Sequence, residues 1–184
     1  IAVARIDTAA AWGSVRDTVA RQSRQPDSVW LSGDADSSVR SAARSQGFSW
    51  LEQGHDFAAA MQAEDGGWAA CLNAGDYYAE NYLLDLDVAR AYTPVSAIGK
   101  AMFYEFDGTN AQVRHDGLHY RRNVALSPRR ALLDVSVHPE AVLAMLDGTD
   151  GPCVPGDSID EFNYCGNLAR HGHDRDRWQA TVDA

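Results

Sequence analysis

Three apolar runs in this 184-residue chain end in turns that carry carboxylates. Ile1 to Ile6 runs into Asp7-Thr8, Val29-Trp30-Leu31 into Ser32-Gly33-Asp34-Ala35-Asp36, and Trp68 to Leu72 into Asn73-Ala74-Gly75-Asp76. An acidic residue just past a buried strand can accept hydrogen bonds from a base or a ribose, or hold a hard dication such as Mg²⁺ or Mn²⁺ against a diphosphate. Such a cation neutralises the charge that develops on a leaving phosphate. Asp7, Asp34 and Asp36 are therefore candidate nucleotide ligands, and Asp76 a candidate metal ligand. Asp and Gly are also ordinary turn residues, so simple chain reversal explains the same pattern. Lys100, directly after Gly99, is placed either to reach a phosphate or to sit on the surface. His115 and His119 could line a site or be satisfied locally. His171, His173, Asp174 and Asp176 carry metal-capable atoms, in a tail polar enough to be merely solvated.

The elements that must position these residues follow from hydrophobic periodicity. Strand, helix and strand alternate through the first half. Helices are expected over Ala9–Arg24, with Trp12, Val15 and Val19 on one stripe, over Ser37–Gln46, and over His55–Glu64. Asp7 or Thr8 can cap the first, and Gly47 stops the second. A further helix is expected from Tyr78 to Tyr92, where Tyr77, Tyr78 and Tyr82 read as packing residues rather than a sugar platform. This alternation implies βαβ crossovers and a mainly parallel sheet with helices on both faces. Ligands in such sheets bind beyond the carboxyl ends of the strands, where the three acidic turns lie. After Pro94 the pattern turns strand-rich. Strands are expected over Ser96–Phe106, Ala111–His115, Leu118–Leu126 and Ser158–Tyr164, with a short helix over Pro139–Leu146. The reading is one α/β domain over 1–184: a nucleotide-binding half over 1–93, acceptor-side strands over 94–170, and a polar tail over 171–184.

Composition narrows the function classes. A net charge of −10 disfavours nucleic acid and anionic membranes. Arg114, Arg121, Arg122, Arg129 and Arg130 form the main basic group, readable as a solvated edge or as a phosphate-facing one. Three cysteines without paired spacing, Cys71, Cys153 and Cys165, suggest neither a disulfide framework nor a zinc site. No apolar run approaches the roughly 20 residues of a membrane span, and no signal peptide is visible. The expected setting is the cytoplasm, with flanking domains of a larger chain a possibility raised by the start at Ile1.

The first half, with Gln22, Pro26, Val29-Trp30-Leu31, Asp34 and Asp36, resembles the opening of family 2-type glycosyltransferases of the GT-A fold. Asp76-Tyr77-Tyr78, Asn81-Tyr82-Leu83, Ile98-Gly99-Lys100 and Asp160-Glu161-Phe162-Asn163-Tyr164 resemble a bacterial branch of that family. Together these stretches cover about three quarters of the chain. The resemblance implies a nucleotide-diphosphate-sugar donor, a glycan or small-molecule acceptor and a divalent cation. It also implies roles for Asp34 and Asp36 at the nucleoside, Lys100 near phosphate, and Asp76 at the metal with a late histidine, His171 or His173. Two departures stand out. Where the branch carries a run of aspartates, only Asp76 remains beside Asn73, Ala74 and Gly75, and a neutral ligand binds a hard dication less well. The Glu-Asp pair expected to supply a general base is missing, with Asp134 and Glu140 the nearest acids. The alternative to a transferase is a catalytically silent module that keeps the fold inside a larger glycan-processing protein.

Overall fold

The computed structural model describes residues 1–52, 56, 57, 59, 67–115 and 117–168. Its main sheet has eight strands. In chain order they are β1 (Ala2–Arg5), β2 (Val29–Ser32), β3 (Ser49–Trp50), β4 (Trp68–Leu72), β6 (Ala97–Gly99), β9 (Val124–Leu126), β10 (Ala131–Asp134) and β11 (Val154–Ser158), and in space they run β3-β2-β1-β4-β10-β6-β11-β9. Six of them, β3, β2, β1, β4, β6 and β11, point the same way, while β10 and β9 run against them. A smaller sheet joins β5 (Tyr77–Tyr78), β12 (Tyr164–Gly166), β7 (Phe103–Phe106) and β8 (Ala111–Arg114) in that order.

Period-2 alternation sends each strand's side chains to opposite faces, and both faces are covered. Ala2, Ala4, Leu31, Ala70, Leu72, Ile98 and Leu132 pack on one face against residues of α1 (Ala9–Arg21), α2 (Ser37–Ser45) and α3 (Tyr82–Tyr92). Val3, Trp30, Ala69, Cys71, Ala97, Ala131 and Leu133 pack on the other against Phe57 and the apolar stripe of α4 (Pro139–Leu146). Thr8 caps α1, its hydroxyl accepting the Ala11 N–H at 3.1 Å. Among the described residues no helix is long and apolar enough to cross a membrane. The three cysteines are free, Cys71 and Cys165 buried and Cys153 exposed.

The expected mainly parallel α/β sheet with helices on both faces is what the structure has, but several elements differ. Ser96–Phe106 is two strands in two sheets, broken where the buried Lys100 turns the chain. Tyr77 and Tyr78 form a strand edge of the small sheet, so α3 starts at Tyr82. Only Val124–Leu126 of the strand expected over Leu118–Leu126 is extended. Ser158 ends β11 and Tyr164 begins β12, with a turn between them in place of one strand. The helix expected over His55–Glu64 falls largely, and the tail over 171–184 wholly, outside the described residues.

Candidate functional site

The parallel direction of β1, β4, β6 and β11 brings their carboxyl ends to one edge of the sheet, and the reversed β10 begins there. Asp7, Asn73–Asp76, Lys100, Arg129, Arg130 and Asp160 therefore gather along that edge. The chain leaves β1 toward β2 on one side and later returns to place β4 on its other side. This makes the β1/β4 boundary a topological switch point, the position at which open α/β sheets form ligand crevices. A cleft of about 250 Å³ lies there, bounded by Arg5, Asp7, Ala11, Leu72–Gly75, Met145 and Gly148–Asp150. Small-molecule pockets usually span roughly 300–1,000 Å³, so this cleft has room for part of such a ligand.

One wall of the cleft is an ion-pair triad. Arg5 Nε donates to Asp7 Oδ2 and Nη2 to Asp34 Oδ2, each at 2.9 Å, while Asp7 Oδ1 accepts the Asp34 N–H. Burial pushes the Asp7 carboxyl up, but the Asp34 N–H and the Arg5 guanidinium outweigh it, so Asp7 titrates below the usual carboxylate range. Two glycines allow this arrangement. Gly33, at φ +117°, leaves no room for a Cβ beside the Ile6 carbonyl and Asp7. Gly148, at φ +87°, lets Arg5 cross where a Cβ would lie 2.8 Å from its Cδ. Asp34 is 86% exposed at its side chain. Asp36 is turned away from the cleft and caps α2, accepting the N–H groups of Ser38 and Val39 at 2.9 and 3.0 Å. Asp36, expected at a nucleotide, thus spends Oδ1 on the start of α2 and is not among the residues that border the cleft.

Asp76 requires the larger correction. Its side chain has no solvent exposure and points into the protein body. Arg129 clamps it through Nη2–Oδ1 at 2.6 Å and Nε–Oδ2 at 3.1 Å. Tyr164 donates its hydroxyl to Oδ2 at 2.8 Å, and the Asn167 N–H donates to Oδ1 at 2.9 Å. With four donors on two oxygens, the carboxylate is a structural hub joining the β4 turn to the 3₁₀ turn Pro128–Arg130 and to β12. Burial lowers the Arg129 guanidinium pKa, but the facing Asp76 more than reverses this, and the net shift is upward. Neighbouring Asn73 is half-buried and closes the turn on itself, its Oδ1 accepting the Gly75 N–H at 2.8 Å.

Lys100 is likewise no surface cation. It is fully buried, bonded to Asp160 Oδ1 at 2.6 Å, with Asp85 at 4.0 Å. Desolvation lowers its pKa, and Asp160 only partly restores it. Lys100 thus holds a carboxylate in place instead of reaching for phosphate. Asp160, two residues past the end of β11, also accepts the Phe162 N–H through Oδ1 at 3.1 Å. Its only signal in the sequence was the Asp160-Glu161-Phe162-Asn163-Tyr164 segment. The arginine group disperses: Arg114 pairs with Glu105, Arg129 with Asp76, and Arg130 stacks 3.8 Å over Phe103. His115 stacks on Phe103 and His119 on Tyr120, and neither borders the cleft. Tyr77, Tyr78 and Tyr82 are buried packing residues.

These donors do not suit a resident divalent cation. Each Asp76 oxygen already accepts two hydrogen bonds, Asn73 is neutral with its Oδ1 taken by the Gly75 N–H, and Gly75 has no side chain. Among the described residues no three His, Cys, Asp or Glu side chains are grouped to hold a metal. His171 and His173 lie outside those residues.

No protein-family model matches the sequence, and no curated protein matches it. Two solved structures of S. aureus TarS share the fold. The first, at 12% identity and a TM-score of 0.57, covers 91% of this chain and 36% of its own. The second, TarS 1–349, at 11% identity and the same TM-score of 0.57, covers 98% of this chain and 64% of its own. The chain thus spans from about a third to just under two thirds of the structures it resembles. At this identity the likeness is one of architecture alone: a largely parallel sheet between helices.

Proposed function

We propose that this chain is the donor-binding domain of a glycosyltransferase of the GT-A, family 2-like type, and that the cleft between β1 and β4 receives the nucleotide of a nucleotide-diphosphate sugar. The observation that carries this reading is the position of the cleft at the switch point of the sheet, walled by Arg5, Asp7 and the β4 turn. In this scheme Asp7 accepts from the nucleoside. Asp160, bonded to Lys100 at 2.6 Å through Oδ1, takes the proton of an acceptor hydroxyl through Oδ2. The acceptor is a glycan or a small hydroxyl compound.

Calorimetric titration with UDP, GDP and CDP tests the binding step. One of them should bind more tightly than about 1 mM. Thr149→Trp, whose indole would fill the cleft, should abolish binding without moving the melting temperature. Binding that survives Thr149→Trp would place the nucleotide elsewhere. A second reading, a silent module that retains the fold, is favoured by the commitment of Asp76 to Arg129. Donor turnover separates the two: a transferase loses it in Asp160→Asn while still binding nucleotide, whereas a silent module shows none in either form.

A further inference from the structure

The cleft handles charge in an unusual way for a site that would meet a diphosphate. Arg5 borders the cleft, Arg129 lies behind its rim at Asp150, and each arginine pairs with two carboxylates. Arg5 pairs through Nε with the half-exposed Asp7 and through Nη2 with Asp34, which is 86% exposed. Arg129 keeps Asp76 in the interior, while its Nη1 meets Asp150, 76% exposed, at only 3.5 Å. Asp150 lies on the cleft rim with Gly148 and Thr149. Exposed pairs of this kind contribute little, because water screens them and both side chains must be held in place. A phosphate oxygen carries the same charge as the carboxylate it would displace and can take the one nitrogen that each arginine spends on that carboxylate, Arg5 Nη2 and Arg129 Nη1. The exchange swaps one anion for another, so it needs no additional positive charge. The displaced Asp34 and Asp150 swing into solvent, where salt screens them.

We propose that Arg5 and Arg129 form a two-arginine seat for the diphosphate of a nucleotide, with Asp34 and Asp150 as placeholders that the phosphates displace, and that this seat works without a divalent cation. The proposal rests on the nucleotide reading above. It differs from a cation-bridged site in the sign of one effect. Carboxylates that ligate a metal or a nucleoside strengthen binding, so neutralising them weakens it. Carboxylates that compete with phosphate weaken binding, so neutralising them tightens it.

The experiment is calorimetric titration of the wild type, Asp34→Asn, Asp150→Asn and Arg5→Gln with whichever of UDP, GDP or CDP binds, in EDTA and in Mn²⁺. Wild-type affinity should be the same in both buffers. Asp34→Asn and Asp150→Asn should each tighten binding by about threefold, in keeping with the small worth of an exposed pair. Arg5→Gln should weaken it by about tenfold, the worth of a charge-assisted hydrogen bond. Both asparagine variants alter exposed side chains and should melt with the wild type, so a folding defect cannot mask the result. Binding seen only with Mn²⁺, or weakened by Asp150→Asn, overturns the two-arginine seat and leaves the nucleotide reading standing. Absence of binding in both buffers overturns both.

Discussion

Replacing Asp76 by alanine should damage stability rather than metal affinity. The substitution removes the acceptor of four hydrogen bonds and leaves Arg129, whose side chain is 19% exposed, without its bidentate partner. Breaking one side of a buried ion pair costs about 3–5 kcal/mol, because the remaining charge stays desolvated. The Tyr164 hydroxyl, buried and bonded only to Asp76, adds to that loss; a buried donor left unsatisfied costs about 1–3 kcal/mol. The two penalties share one site and do not simply add. Taking about 4 kcal/mol for the whole, the melting temperature of a chain of this length falls by roughly 8–16 °C, a large part of a typical total stability of about 5–15 kcal/mol. Urea unfolding followed by far-UV circular dichroism, in buffer containing EDTA, measures it. The double variant Asp76→Leu/Arg129→Met should recover the part of the loss due to the stranded guanidinium, since an apolar pair of similar size often replaces a buried ion pair at little cost, while the part due to the Tyr164 hydroxyl and the Asn167 N–H stays. If Asp76→Ala unfolds within about 0.5 kcal/mol of the wild type, as a surface substitution would, the carboxylate is no hub. A single variant that lost bound Mn²⁺ at unchanged stability would restore Asp76 as a cation ligand.

The neighbouring turns separate structural from surface carboxylates: Asp36→Ala should cost about 1 kcal/mol as a lost helix cap, and Asp34→Ala less than about 0.5 kcal/mol, both read from urea midpoints. Thiol titration should find one reactive cysteine in the native protein and three after unfolding, because burial pushes Cys71 and Cys165 up to about 12 while Cys153 is exposed; three fast thiols in the native state would contradict the packing. Lys100 should leave a mark on the pH dependence of stability. Its folded pKa lies below the unfolded value of 10.5, so the unfolded chain binds more protons between the two, and stability rises with pH across that window. Lys100→Met should lack this rise in urea midpoints taken at increasing alkaline pH, and an unchanged slope would mean that the ammonium is not desolvated.

The sheet was legible because its signals are local. Apolar runs bounded by capped helices define βαβ units whatever the rest of the chain does, and handedness and connection length then fix a parallel sheet with its switch point between β1 and β4. The breaks at Lys100 and around Asp160 were not legible. Ser96–Phe106 is apolar throughout, and only the long-range pairing of Lys100 with Asp160, 60 residues away, makes the chain change sheets there. Asp76 was misread for the same reason. A carboxylate after a strand points outward by default, but Arg129, Tyr164 and Asn167 reach it from 53, 88 and 91 residues further along. Arg129 in turn stood in the sequence as one of a group of arginines with no sign of which carboxylate it would meet.

The inward turn of Asp76 connects with the neutral residues before it. A run of aspartates at the end of β4 would repel itself unless a cation held it together, since like charges a few ångströms apart cannot all stay ionised cheaply. With Asn73 and Gly75 neutral, Asp76 has no like-charged neighbour within the turn Asn73–Asp76, and a single carboxylate can be satisfied by a single guanidinium. The same exchange brings a positive charge to the cleft edge as a fixed side chain, since Arg129 must reach the β4 turn to pair with Asp76 and so presents its remaining nitrogen beside Asp150. The neutral turn and the pairing of Asp76 with Arg129 are then two sides of one charge arrangement. Restoring Asn73→Asp alone should therefore fail to create an Mn²⁺ site, because Asp76 stays engaged. Only the pair Asn73→Asp/Arg129→Met, which frees Asp76, should show Mn²⁺ binding by calorimetry; binding by the single variant would show that the Asp76–Arg129 pair opens easily and that the two features are independent.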